Sequence, residues 1–168
     1  MADGCEIYLI RHGLSEERGE AWPDDTKRPL TDEGMQRLRR AARSLERLGI
    51  CLDVVLTSPL VRTRQTAEIL SAAFSPHPAV LNVDALAPDG SVAGVVAELD
   101  KHGRRRRIAI VGHEPLIGEL AGRLLGMRPA IAFKKGAVCR IDVDALPAKG
   151  PGALRWFLTP KLLKNLKT

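Results

Sequence analysis

The stretch Glu6-Ile7-Tyr8-Leu9-Ile10-Arg11-His12-Gly13 joins an apolar run to a polar turn. Its first five residues predict a buried first strand, because short apolar runs with polar boundaries are typical of strands inside a sheet. A second run, Ile108-Ala109-Ile110-Val111, leads into Gly112-His113-Glu114-Pro115 and predicts a strand buried on both faces. Longer segments of helical period lie between such runs, and this alternation favours an α/β fold.

The other segments continue the alternation of strands and helices. Helices are predicted from Asp32 to Leu48 with Thr31 as N-cap, from Pro59 to about Phe74 with Ser58 as N-cap, from Ser91 to about Asp100, and from Leu116 to Leu125. Strands are predicted from Asp53 to Thr57, Ala79 to Val83, Ala137 to Val143 and Ala153 to Thr159, the last two as a hairpin. Along the final strand, Leu154, Trp156 and Leu158 are expected on one face. The stretch from Leu14 to Pro29 shows neither the hydrophobic period of a helix nor that of a strand, and it predicts a mobile loop.

These elements predict one domain over residues 1–168. Its architecture is expected to be a three-layer α/β sandwich, with a mixed, mostly parallel sheet of about six strands flanked by helices. The 45% of hydrophobic residues excludes extended disorder. No stretch approaches the ~18 apolar residues of a membrane helix, so a cytoplasmic protein with no membrane partner is expected. Three widely spaced cysteines predict neither a disulfide framework nor a zinc site.

The net charge of +6 favours negatively charged partners. Nucleic acid is the less favoured class, because the chain has only three Phe, two Trp and one Tyr for base stacking. One arginine-rich set, predicted to cover the exposed face of its helix, comprises Arg37, Arg39, Arg40, Arg43 and Arg47. The run from Arg104 to Arg107 predicts a solvated loop that can also steer acidic or phosphorylated partners.

Three predicted strands end in charged or polar residues: Arg11-His12-Gly13, Ser58 to Arg62, and Gly112-His113. In an open α/β sheet, the carboxyl ends of the strands line the ligand crevice. A site at this edge would hold two arginines and two of the four histidines of the chain. One guanidinium group can bind two oxygens of a phosphoryl group at once. These arginines and histidines together therefore indicate phosphoryl transfer.

Each of these residues has an expected role in that chemistry. Arg11 and Arg62 bind and neutralise the phosphoryl oxygens. A neutral His12 attacks phosphorus, while a backbone carbonyl holds its other ring nitrogen and Gly13 lets the main chain approach the phosphate. His113, cationic when phosphate is bound, donates to the transferring oxygens. This chemistry requires no metal and no cofactor.

Together these motifs resemble a known family. Arg11-His12-Gly13, Ser58-Pro59-Leu60-Val61-Arg62-Thr63 with Thr66, and Gly112-His113-Glu114-Pro115 are similar to motifs of the histidine phosphatase superfamily, also called phosphoglycerate mutase-like. The short chain and Arg28-Pro29-Leu30-Thr31-Asp32-Glu33-Gly34 most resemble its SixA-type phosphohistidine phosphatase branch. The resemblance implies a phosphohistidine intermediate on His12 and a metal-free pocket of Arg11, Arg62 and His113. Arg28 is expected to join the substrate-binding residues.

In one respect the chain departs from the wider family. Many members carry a glutamate acid after the third strand, whereas Leu86-Ala87-Pro88-Asp89-Gly90 offers only Asp89. SixA-type proteins are similar in lacking it, and Asp25 is expected to take its place, with Asp24 or no acid as alternatives. An imidazole leaving group needs less acid assistance than an alkoxide, because its conjugate acid has a pKa of about 6.5.

The sequence therefore predicts a metal-independent hydrolase that removes phosphate from phosphohistidine in a protein, with inorganic phosphate as product. Short connections favour an open pocket that admits a protein side chain. The first alternative is a phosphatase or mutase acting on small phosphorylated molecules, such as phosphoglycerate or sugar phosphates. The second is a non-catalytic module that binds phosphate or nucleic acid.

Overall fold

The computed structural model describes residues 4–166. Six strands in this range form one sheet. Its strands are β1 (Cys5–Arg11), β2 (Val54–Thr57), β3 (Ala79–Asn82), β4 (Arg107–Gly112), β5 (Val138–Val143) and β6 (Ala153–Leu158). The strand order is β3-β2-β4-β1-β5-β6, in which the first four are parallel and β5 and β6 are antiparallel additions. The predicted mixed, mostly parallel sheet is confirmed.

Helices cover both faces of this sheet. They are α1 (Asp32–Arg47), α2 (Val61–Ala72), α3 (Val92–Asp100), α4 (Leu116–Leu125) and α5 (Pro160–Asn165). In β4, Ile108 and Ile110 pack with α3 and α4, whereas Ala109 and Val111 pack with α1 and α2. Because successive strand residues face opposite sides, a strand covered on both sides must be apolar throughout. The three-layer prediction is therefore confirmed.

The predicted start of the second helix is wrong by two residues. Helix α2 begins at Val61 with Leu60 as N-cap, and Ser58 does not cap it. The Ser58 hydroxyl lies 2.9 Å from a ring nitrogen of His113, and its carbonyl accepts a hydrogen bond from Thr63. A serine held by a neighbouring strand end is unavailable as a helix cap, so the local Ser-Pro signal is overridden.

The last strand departs from its predicted pattern. Arg140 pairs with Trp156 while Ile141 pairs with Leu154, so β6 contains one extra residue between the two pairs. This bulge turns Leu154 away from the face shared by Trp156 and Leu158, and 48% of Leu154 is exposed. The expectation that all three share one face is wrong.

Helix α5 was not predicted from the sequence. Thr159 caps it and Pro160 occupies its first turn, a combination typical of helix starts. Its Leu163 is 1% exposed and packs against the core beside α1. The pair Thr159-Pro160 is the local signal that could have indicated this helix.

The predicted mobile loop from Leu14 to Pro29 is tied to the domain at several points. Ser15 forms a β-bridge with Leu30, and the buried Arg28 donates to the Ser15 hydroxyl over 2.9 Å. The loop also contains a short 3₁₀ helix, Asp25–Lys27. These contacts place the loop beside the carboxyl ends of the strands.

Among the described residues, no helix combines the length and apolar character needed to cross a bilayer.

The beginning of α1 packs closely against the segment that follows β1, and this contact leads to a stability prediction. A Cβ on Gly34 would lie 2.1 Å from the backbone oxygen of Leu14. We therefore expect Gly34→Ala to lower the free energy of unfolding by about 2 kcal/mol, although alanine is the better helix former. Urea denaturation measures the difference.

Gly94→Ala is the matched control, because Gly94 also follows its helix cap, Ser91, by three residues. Its added Cβ would meet no atom closer than 3.2 Å. We expect a change within about 1 kcal/mol. Equal losses in the two variants would contradict the proposed role of the Leu14 contact.

Candidate active site

Two histidines meet at the carboxyl edge of the parallel strands. The backbone N–H of His12 donates to the Gly112 carbonyl over 3.1 Å, and that of Ser58 donates to the Val111 carbonyl over 3.2 Å. These bonds extend the parallel ladders by one residue beyond β1 and β2. The His12 and His113 rings consequently lie with their centroids 5.2 Å apart.

These rings line a cavity of about 400 Å³. Its walls are formed by Arg11, His12, Glu16, Glu17, Arg18, Arg28, Arg62, Pro88, His113, Glu114 and Lys135. Of the site residues predicted from the sequence, Gly13, Asp25 and the alternative acid Asp24 are absent from these walls. Residues 16–18 belong to the loop after β1, so this loop forms one wall of the cavity. The short connections in the sequence did not indicate such a wall.

His12 is held in one tautomer. Its Nδ1 lies 2.8 Å from the Gly13 carbonyl oxygen, which can only accept, so Nδ1 carries the proton and Nε2 keeps its lone pair. Burial lowers the pKa of His12 to about 3, and the charge of Arg62 acts in the same direction. The ring is therefore neutral near pH 7, as a nitrogen nucleophile must be.

The approach of the Gly13 main chain to phosphate stays a prediction, and Gly13 also makes packing contacts. Its N–H donates to the Thr66 hydroxyl over 3.1 Å. An added Cβ would lie 2.5 Å from Cδ1 of Leu38, so glycine is needed for α1 to pack here. Gly13 acts on the site through its carbonyl, which orients His12.

Arg11 and Arg62 are each held by hydrogen bonds from their terminal guanidinium nitrogens. Nη1 of Arg11 donates to the Phe133 carbonyl over 2.7 Å. Nη1 and Nη2 of Arg62 donate to the Asp25 backbone oxygen and carboxylate over 2.8 and 3.0 Å. The Nε atoms of both arginines are buried and have no hydrogen-bond partner within residues 4–166. Unsatisfied buried donors of this kind favour an anionic ligand.

His113 is neutral in the free protein. Its Nε2 lies 2.9 Å from the Ser58 hydroxyl, and burial together with the charge of Arg62 lowers its pKa to about 4. The predicted cationic form would therefore require a bound anion, whose charge opposes that of the arginine. The contact with Ser58 was not predicted from the sequence.

Asp25 lies among three guanidinium groups. Its carboxylate is 3.2 Å from Arg18, 2.8 Å from Arg28 and 3.0 Å from Arg62. Desolvation alone would raise its pKa, but the hydrogen bond from Arg28 and the charges of Arg62 and Arg28 outweigh it and lower the pKa. A carboxylate stabilised in this way is a poor proton donor, so its surroundings do not favour the predicted role of general acid.

Asp24 is also placed unfavourably for proton donation. It caps the short 3₁₀ helix by accepting from the Thr26 N–H over 3.0 Å. Hydrogen bonds from Thr26 lower its pKa, and Asp24 is absent from the cavity walls.

Several contributors to the site were missed by sequence reasoning. The Glu114 carboxylate accepts the Phe133 N–H over 3.0 Å, and the Phe133 carbonyl in turn holds Arg11. Burial raises the pKa of Glu114. Lys135 also lines the cavity, where burial and the charge of Arg11 lower its pKa. Local sequence patterns carry no signal for Phe133 or Lys135, because only tertiary packing brings them to this edge.

The predicted arginine run lies elsewhere. Arg104 to Arg107 precede and begin β4, at the opposite end of the strand from His113. The backbone N–H groups of Arg106 and Arg107 donate to the Asp53 carboxylate. This run is therefore separate from the candidate site.

Comparison with known proteins gives consistent relatives. The model of the histidine phosphatase superfamily (branch 1) matches residues 7–86. The chain is 26% identical over 164 residues to phosphohistidine phosphatase SixA of Escherichia coli, covering 96% of this chain and 98% of that protein. It is 42% identical over 119 residues to an uncharacterized protein of Picosynechococcus sp., covering 69% and 70% of the two chains.

The fold has a similar counterpart among solved structures. The structure of the protein histidine phosphatase SixA complexed with tungstate superposes with a TM-score of 0.84 at 26% identity. The match covers 95% of this chain and 99% of that chain. The phosphoglycerate mutase-like architecture predicted from the motifs is therefore confirmed.

The low pKa values of the two buried histidines predict a loss of stability in acid. Below the ordinary value of 6.5, the unfolded chain binds protons that folded His12 and His113 reject until about pH 3 and about pH 4. Protonation therefore favours the unfolded state, and the free energy of unfolding should fall as the pH drops below 6.5. Each histidine accounts for about 1–2 kcal/mol between about pH 7 and about pH 5.

Urea denaturation at the two pH values measures this loss in the wild type and in His12→Gln. The variant should lose about 1–2 kcal/mol less than the wild type on acidification. An identical loss in both proteins would show that His12 titrates alike in the folded and unfolded chains.

Proposed function

This chain belongs to the histidine phosphatase superfamily and is of the SixA type, and we propose that it hydrolyses phosphohistidine in proteins through a covalent intermediate on His12. The observation that carries the proposal is the 2.8 Å distance between His12 Nδ1 and the Gly13 carbonyl oxygen, from which the tautomer follows. It leaves Nε2 as a neutral nucleophile in a cavity that Arg11, Arg62 and His113 share.

In the first step, Nε2 of His12 forms a bond to phosphorus while the bond from phosphorus to the substrate imidazole breaks. Arg11 and Arg62 neutralise the charge on the three non-bridging oxygens, and the buried Nε–H groups of both arginines become satisfied. His113 donates to the same oxygens once the anion is present. The displaced imidazole takes up a proton from water and leaves with the substrate protein.

In the second step, water attacks the phosphorus of phosphorylated His12. The new P–O bond forms as the bond from Nε2 to phosphorus breaks, the attacking water passes one proton to solvent water, and inorganic phosphate leaves. His12 returns to its neutral state with Nδ1 still bonded to the Gly13 carbonyl. The hydrogen bond to this carbonyl also stabilises the charge that the ring carries while it is phosphorylated.

The surroundings of Asp25 support phosphohistidine as the substrate rather than a phosphate ester. Its carboxylate is stabilised in the anionic form by Arg28 and Arg62, so it offers little general acid. Imidazole leaves without strong acid assistance because its conjugate acid has a pKa of about 6.5, whereas an alkoxide does not. Asp25 is assigned to positioning Arg62, which it contacts through both its carboxylate and its backbone oxygen.

Replacement of the nucleophile tests the mechanism. With a histidine-phosphorylated protein, a metal chelator and no added metal, we expect His12→Ala to lower phosphate release by about a thousandfold or more. Wild-type protein quenched in alkali during turnover should carry acid-labile phosphate, and the variant should not. His102→Ala is the matched control, because the His102 ring lies 3.8 Å from the carboxylate of Glu98 in α3 and outside the cavity.

Each other result favours a different function. Higher kcat/KM on phosphoglycerate or sugar phosphates than on the phosphorylated protein would replace the proposal with an enzyme of small esters. Phosphate binding without hydrolysis of either substrate class would indicate a non-catalytic module.

Asp25→Asn separates a positioning role from general acid catalysis. Because Arg62 is misplaced for every substrate, we expect kcat/KM to fall about tenfold on phosphohistidine and on a phosphate ester alike. The neighbouring Asp24→Asn should change either value less than about twofold, since Asp24 only caps the 3₁₀ helix. A loss on the ester that greatly exceeds the loss on phosphohistidine would identify Asp25 as the acid instead.

A further inference from the structure

A second cavity adjoins the candidate active site. Its volume is about 580 Å³, larger than that of the catalytic cavity, and Lys135 lines both. The walls come from the segment after β1, from α1, from the segment before β5 and from α5. The two cavities therefore share a border at Lys135, and we call the second one the basic groove.

The rim of the basic groove is strongly cationic. Its basic residues are Arg37, Arg40, Lys134, Lys135, Lys161 and Lys164. Glu33 is the one acidic residue among the described residues that line it, and Glu33 is ion-paired with Arg37. Arg40, Lys134 and Lys164 are exposed. The groove thus presents excess positive charge to solvent.

The floor of the groove has a different character. Gly34 and Gly136 contribute no side chain, while Leu38, Ala41 and Pro160 contribute apolar surface. Gly136 has a φ of 81°, a conformation that favours glycine, so a side chain there would strain the backbone. An apolar floor between cationic rims complements a polypeptide segment that carries both apolar and acidic side chains.

This combination favours a protein over a nucleic acid. Single-stranded nucleic acids bind to basic grooves that also provide aromatic side chains for stacking, and no aromatic residue lines the groove in the described part of the chain. A phosphohistidine side chain would occupy the catalytic cavity, whereas a groove of about 580 Å³ beside it offers room for the neighbouring residues.

We propose that the basic groove binds an acidic segment of the same protein whose phosphohistidine enters the catalytic cavity. This inference rests on the proposed function and adds a basis for choosing substrates. Phosphoproteins with glutamate or aspartate near the phosphohistidine in space should be preferred, because opposite charges accelerate encounter and fix orientation. Lys135 marks the point at which the docked segment meets the reacting side chain.

Two synthetic phosphohistidine peptides test the proposal. They are identical except that one carries several glutamates where the other carries glutamines, and kcat/KM is measured for both. The groove variant is Arg40→Glu with Lys164→Glu. The matched control is Arg39→Glu with Arg43→Glu, which alters net charge equally on exposed positions that line a different depression beside α2.

We expect the wild type to prefer the acidic peptide by about tenfold and the groove variant to lose this preference. The control variant should keep it. A preference that is absent from the wild type, or reduced equally in both variants, would overturn the proposal. Tighter binding of a single-stranded oligonucleotide than of the acidic peptide, lost in the groove variant, would overturn it in favour of nucleic acid.

A binding measurement separates this proposal from the proposed function. The unphosphorylated acidic peptide, labelled for fluorescence anisotropy, should bind the groove variant about tenfold more weakly than the wild type and the control. If this difference appears while neither phosphopeptide is hydrolysed, the proposed function fails and the acidic-segment groove is supported. If both phosphopeptides are hydrolysed and binding does not differ, the groove proposal alone fails.

Discussion

The parallel pairing of β1 with β4 is the constraint on which the site depends. Arg11 lies opposite Gly112 in this pairing. The hydrogen bond from the His12 N–H to the Gly112 carbonyl brings His12 close to His113 at the carboxyl edge of the sheet. Both strands are buried on both faces, and a shift of register by one residue would exchange the side chains that face the two helical layers. Core packing therefore sets the position of His12, the proposed nucleophile, together with the register of the sheet.

Electrostatics at this edge follows from burial combined with clustered positive charge. His12 and His113 remain neutral because burial penalises their charged forms and Arg62 opposes protonation. The same low-dielectric surroundings strengthen the attraction of the arginines for an anion. Asp25, which lies in the loop, offsets part of the positive charge of Arg28 and Arg62, and the cavity walls remain cationic. The free protein thus combines a neutral His12, the proposed nucleophile, with a cationic cavity that suits an anionic ligand.

Scaffold and loops divide the work of the site. His12 and His113 follow strands of the sheet, whereas Arg28 and Asp25 come from the tethered loop after β1. Gly13 contributes through packing and hydrogen bonding. Its lack of a side chain leaves space for Leu38, and its carbonyl orients His12. The basic groove extends the same arrangement outward, since α1 and α5 present basic side chains beside the cavity that the strands create.

The sequence by itself determined the order of strands and helices up to β6, the mixed sheet and the clustering of Arg11, His12, Arg62 and His113, because hydrophobic period and strand-end motifs are local signals. Only the tertiary structure decided that Asp25 pairs with Arg62, 37 residues away, and that Arg11 donates to Phe133, 122 residues away. It also decided the bulge in β6, the loss of Ser58 as a helix cap and the neutral state of the histidines. These features depend on burial and on contacts between distant segments, and neither is encoded by the residues adjacent in the chain.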